Sequence, residues 1–362
     1  MKCLVLAAVI FLPIQMFAQQ SVAQINFHAQ TDFFKLPPDL YFGEVAGVAV
    51  NSKGHVFVYS RGGSSGPAYG AAAAQLLEFD ADGKYLREIG HHLYAWSFAH
   101  AVKVDKEDNI WVADKGSDMV IEFSPEGRVS MVFGRKQEGS DAGTGPLKHP
   151  KPPLPPIDGE FRQVTDMAWD SAGNTYISDG YINSRIAKID KDGNWIKSWG
   201  EPGTGPGQFN VPHSIATDEA GNVYVADRGN GRIQVFDGEG KFLREIHIDV
   251  PYDHTVRPWM GNMPSQVPAT AEAPAPLNKT MSNGSPWAIC ITPGTHQVLY
   301  AADGYPGRIY KLALDGKVLG ATGHGPGQFG WIHELACPSE NVLYAAELLN
   351  WRVQRLTLEP SQ

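Results

Sequence analysis

The sequence predicts an all-β fold, a six-bladed β-propeller closed by an N-terminal strand. Three observations predict it. Residues 164–179 and 212–227 are near copies of each other: a short apolar run, an Asp-x-x-Gly-Asn turn, and a second run ending in Ser-Asp or Ala-Asp. The second copy is followed by two more strand-like runs, 232–237 and 240–246, and four antiparallel strands make one blade. With the turn residue as an anchor, the same position recurs at Asn51, Asp105, Asp170, Asp218, Thr292 and Pro338, giving six units. The 39 glycines and 26 prolines in 362 residues suit a fold of many tight turns, and the Gly-Asn pair supplies the positive φ such turns need.

The elements follow in order. Residues 1–18 read as a secretory signal peptide: Lys2, an apolar run from Cys3 to Pro13, then Met16, Phe17 and Ala18, with cleavage expected after Ala18. The run is too short to span a bilayer stably, so the mature chain is expected to have no membrane span and to be secreted or periplasmic. Residues 19–43 form an N-terminal segment, and the propeller occupies 44–358. Its last unit has room for only three strands after His333. The segment from Gln24 to His28, which alternates in polarity, is therefore expected to add the outer strand and remove a sheet edge. Insertions at about 134–160 and 250–285, rich in Gly, Pro and Lys or in Pro and Ala, read as surface loops. A net charge of -9 with no basic stripe argues against a nucleic-acid partner. Three cysteines exclude a disulfide scaffold. Cys290 and Cys337 lie two and one residues before their anchors, hence on opposite strand faces, and are expected to be free buried thiols.

Five residues before each anchor, at the start of the innermost strand, stand Ala46, His100, Thr165, His213, Trp287 and His333. Blades two, four and six carry histidine, so three imidazoles converge on the axis from evenly spaced directions. Three histidines with an open fourth position suit a catalytic zinc. The other reading of such histidines is a set of satisfied polar groups around a channel. The second strand usually ends in an acid (Asp114, Asp179, Asp227, Asp303, Glu347), read here as turn scaffold. Blade one departs with Ser60 and Arg61, and blade three places Tyr181 where blades two and four have Gly116 and Gly229. Arg61 and Tyr181 are therefore expected on the face that holds the histidines, and Tyr305 shares the Tyr181 position in blade five.

These residues resemble a known family. The two Gly-Pro-Gly-Gln-Phe runs, at 205–209 and 325–329, are typical of NHL repeats. More narrowly, the chain resembles the peptidyl-α-hydroxyglycine α-amidating lyases over roughly Glu44 to Leu356. The likeness rests on 45–50 leading to Tyr59-Ser60-Arg61-Gly62, on Ser178-Asp179-Gly180-Tyr181 with Asn183, Ser184, Arg185 and Ile186, and on Pro212-His213-Ser214 with the other two histidines in register. The resemblance implies a zinc on His100, His213 and His333, an essential arginine at Arg61 and an essential tyrosine at Tyr181. It also implies a structural calcium held by the carbonyls of Val48 and Val102 and by Glu334. The implied reaction splits a C-terminal α-hydroxyglycine into a peptide amide and glyoxylate. Where the family has methionine, aspartate and cysteine, this chain has Trp331, Glu334 and Ile182. The expected partner is a peptide or small molecule with a C-terminal carboxylate, and a monomer is expected. Two other readings stand beside this one: a non-catalytic NHL propeller that binds a peptide, glycan or protein, and a metal-dependent propeller hydrolase of a lactone or ester.

Overall fold

The Asp-x-x-Gly-Asn turns close on their own carboxylates. Asp170 accepts the backbone N–H groups of Ala172 and Asn174 on Oδ1, and the Asn174 side chain and Tyr176 hydroxyl on Oδ2. Asp218 repeats the pattern with Asn222 and Tyr224. Gly173 and Gly221 sit at φ 85° and 80°, where a side chain would strain the backbone.

A computed structural model describes residues 22–61, 74–136, 155–252, 279–304, 307–323 and 329–359. The expected signal peptide, most of both insertions, Tyr305 and most of the second Gly-Pro-Gly-Gln-Phe run lie outside them. Six sheets of antiparallel strands form the six expected blades, whose innermost strands are Glu44–Val50, Ala99–Val104, Asp166–Trp169, Pro212–Thr217, Pro286–Ile291 and Ile332–Ser339. Six apolar clusters fill the gaps, one between each pair of neighbouring blades. The core is thus a ring around the axis. Among the described residues no helix is long and apolar enough to cross a membrane.

The closing strand is present but shifted. Phe27–Gln30 pairs antiparallel with Arg352–Leu358 and completes blade six, while Gln24–Ile25 pairs parallel with the outer strand of blade five. The expected single strand at 24–28 is therefore divided between two blades. Ile25, Phe27 and Ala29 pack on the cluster between those blades, and this apolar alternation sets the register.

The expectation of free thiols is overturned: Cys290 and Cys337 are disulfide-bonded, with Cα atoms 6.1 Å apart. Opposite strand faces favour this bond. Blades stack front against back, so residues on opposite faces of equivalent strands in neighbouring blades meet. Both cysteines belong to the cluster between blades five and six.

Candidate active site

A bulge at one repeated position builds the site. In five of the inner strands the ladder slips one residue, at Ala46, His100, His213, Trp287 and His333. A bulged residue leaves the ladder and has its side chain re-aimed. Each histidine then reaches a carbonyl of the next blade, at the slipped positions Ala46 and Trp287 and at Thr165, which directly precedes the inner strand of blade three. Nδ1 of His100 donates to Thr165 O at 2.7 Å, that of His213 to Trp287 O at 2.6 Å, and that of His333 to Ala46 O at 2.8 Å. The sixfold register thus closes in three pairs.

A carbonyl only accepts, so Nδ1 carries the hydrogen in all three rings and Nε2 keeps its lone pair. The candidate ligand atoms of the three rings lie within 4.8 Å of one another. The rings are 2%, 2% and 4% exposed, and Nε2 of His213 is buried without a partner. Burial, first, pushes all three imidazoles well below the ordinary histidine value. His333, Lys115 and Arg61 add to this at His100, and Arg228 does so at His213. Three neutral imidazoles with inward lone pairs and an orphaned nitrogen fit a zinc ion.

Tyr181 stands beside them, its hydroxyl 3.3 Å from His100 Nε2 and its ring edge-on to both His100 and His213. Burial pushes its phenol up, but Arg228, Lys115 and Arg61 outweigh that and hold it below the usual tyrosine value. Arg61 is on the same face, as expected. Its Nε donates to Glu44 at 2.8 Å, its Nη1 donates to Ala99 O, and its guanidinium lies 3.9 Å from the Phe98 ring centroid.

Two cations escaped the sequence reading. Arg228 stacks on Trp287 at 3.9 Å and lies 5.4 Å from the Tyr181 ring centroid, with Nε and Nη1 buried and unpartnered. Lys115 lies 3.9 Å over the Tyr181 ring. The signal was available: Arg61, Lys115 and Arg228 each stand ten residues after their turn anchors, Asn51, Asp105 and Asp218. Trp331, at φ 63°, stands edge-on to Trp287 at 4.8 Å and adds an indole wall. The end-of-strand acids are scaffold, as read. Asp114 accepts the amides of Ser97, Phe98, Gly116 and Ser117, and Asp227 binds Asn210, Asn230 and Arg232.

Deeper in the channel, the residues expected to hold calcium are arranged otherwise. Glu334 Oε2 accepts the backbone amides of Val48 and Val102, at 3.1 and 3.2 Å. Lys103 Nζ lies 3.7 Å from Glu334 Oε1 and 3.3 Å from Asp166 Oδ2. Calcium takes six to eight oxygens, and an ammonium beside its only carboxylate from the expected set is a poor match to such a shell.

Residues 209–236 match the NHL repeat. The chain is 34% identical over 236 residues to the peptidyl-glycine alpha-amidating monooxygenase of Mus musculus, covering 58% of this chain and 22% of that protein. It is 33% identical over 214 residues to the NHL repeat-containing protein 3 of Homo sapiens, covering 57% and 56%. It is 28% identical over 217 residues to a probable peptidyl-alpha-hydroxyglycine alpha-amidating lyase of Caenorhabditis elegans, covering 55% and 57%. The chain thus spans about a fifth of the mouse protein and just over half of the other two. A solved streptogramin B lyase matches with a TM-score of 0.54 at 13% identity, over 92% of this chain and 98% of that one, a likeness of fold alone. The resemblance read from the sequence is borne out: the chain carries an NHL repeat and is similar to the amidating lyases.

Proposed function

We propose that this chain is a zinc-dependent carbon–nitrogen lyase, splitting peptidyl-NH-CH(OH)-COO⁻ into a peptide amide and glyoxylate. The observation that carries the reading is the convergence of three buried, Nδ1-locked imidazoles beneath a face that carries Tyr181 among cations. Similarity to proteins named as amidating lyases supports the same class. The apolar leader at 1–18 supports export.

A zinc ion held by His100, His213 and His333 would act as a Lewis acid toward the substrate hydroxyl and lower its pKa. The chain's own groups do the rest. The Arg228 guanidinium, buried with two free nitrogens, takes the substrate carboxylate in a charge-assisted pair. Arg61, fixed by Glu44 and the Ala99 carbonyl, is the second cation of that clamp. Tyr181, its phenol pKa held down by neighbouring cations, accepts the hydroxyl proton as phenolate. The C=O of glyoxylate forms as the C–N bond breaks. The electron pair of that bond passes to the amide nitrogen, to which Tyr181 returns the proton, so atoms and charge balance.

Metal analysis with a product assay tests the reading. Purified protein should carry about one zinc per chain, lost in His213→Ala with the propeller intact, and should release glyoxylate from a peptide ending in α-hydroxyglycine. A chain that stays zinc-free after loading would favour the binding propeller. A zinc-loaded chain that hydrolyses lactones or esters but releases no glyoxylate would favour the hydrolase.

A further inference from the structure

We propose that the Lys103 ammonium is a built-in cation at the centre of the channel, standing where a divalent ion would otherwise tie the inner strands, and that the propeller needs no calcium. Three charged side chains from three blades meet there: Lys103 from blade two, Asp166 from blade three and Glu334 from blade six. Their side chains are 16%, 3% and 4% exposed. Two nearly buried carboxylates need compensation, and among the described residues this ammonium is the cation that reaches both.

Their remaining bonds stitch the whole ring. Glu334 Oε2 takes the amide of Val48 from blade one and of Val102 from blade two. Asp166 Oδ2 takes the hydroxyl of Ser214 and the amide of Ile215, both from blade four. Ser214 Oγ in turn accepts the amide of Ile289 in blade five. One belt of side chains therefore touches all six inner strands, with Lys103 between its two acids. Gly47 makes room for it, since a Cβ there would lie 2.8 Å from Glu334 Oε2.

The same geometry disfavours a calcium ion. Two N–H groups point their positive ends at Oε2, and the ammonium stands 3.7 Å from Oε1, which makes no hydrogen bond, so an incoming cation meets three positive dipoles or charges around one carboxylate. The longer arm of glutamate lets this carboxylate reach both amides and Lys103.

The experiment uses the zinc-loaded full chain, dialysed against millimolar calcium, gel-filtered, and analysed for both metals and for thermal unfolding. The wild type should retain far less than one calcium per chain, and added calcium should move its Tm by no more than about 1 °C. Lys103→Met removes the charge and keeps the length, leaving two buried acids without a cation, and should lower Tm by roughly 5–10 °C. Lys103→Ser opens space beside the acids, and calcium should then raise Tm. One calcium per wild-type chain, with a fall in Tm on its removal, would overturn the proposal. So would a Lys103→Met protein that melts with the wild type. If neither variant folds, the wild-type calcium content alone decides.

Discussion

Replacing Arg228 with methionine should move stability and activity in opposite directions. Arg228 is 6% exposed, has no carboxylate partner among the described residues, and leaves Nε and Nη1 without hydrogen bonds. In the free protein burial pulls its pKa down, and the Tyr181 hydroxyl offsets that only in part. Exchanging such a group for an apolar chain of similar length should stabilise the fold by about 1–3 kcal/mol, seen as a Tm higher by a few degrees. With substrate the sign reverses, because the carboxylate loses its partner in a water-poor site. That loss is worth about 2–5 kcal/mol, or roughly 30- to several-thousand-fold in kcat/KM. Arg61→Met is the contrast: it strands Glu44, which is 12% exposed, so stability and activity should fall together. Thermal melts and glyoxylate release on zinc-loaded proteins read both quantities. If Arg228→Met melts below the wild type and keeps its kcat/KM, the residue is structural and the clamp is misplaced.

Three further outcomes are expected. Tyr181→Phe should lower kcat more than it raises KM. The rising limb of the wild-type pH profile should lie below the ordinary tyrosine value of about 10, and Arg228→Met should move it upward, since Arg228 is the largest influence holding the phenol down. Asp118 is buried and pushed up to about 8 by desolvation, so the folded chain keeps a proton that the unfolded chain releases. Its contribution to stability is full below the usual carboxylate range and falls as pH rises towards about 8. Asp118→Asn keeps an acceptor for the Gln163 amide and tolerates φ 60°, and should gain about 1–3 kcal/mol over the wild type near pH 9 and nothing near pH 4. The Cys290–Cys337 bond closes a separation of 47 residues, so Cys337→Ser should cost at most about 4 kcal/mol. Alkylation without reductant followed by peptide mass mapping should find the linked pair; two alkylated cysteines would refute it.

The blades, the three histidines and the face shared by Arg61 and Tyr181 were legible because each follows from one repeated spacing. What escaped depends on neighbouring strands. Nothing in the sequence marks the slipped ladder at His100, His213 and His333, because a bulge is a relation between two strands. The Nδ1 bonds to Thr165, Trp287 and Ala46 cross blades for the same reason. Arg228 and Lys115 were missed although their spacing matches that of Arg61, since a charge after a strand end usually meets water. The cysteines were misread because strand parity was applied as if both lay on one sheet. Lys103 looks like a solvated residue between Val102 and Val104, and only closure of the ring sets it between Asp166 and Glu334.

Product analysis on a synthetic peptide ending in α-hydroxyglycine tests the central claim most directly. Zinc-loaded wild type should yield the peptide amide and glyoxylate in equal amounts, well above the uncatalysed rate, while folded His213→Ala should fall to background. A folded wild type with zinc bound that leaves this peptide intact, at any pH where it stays folded, would contradict the lyase reading.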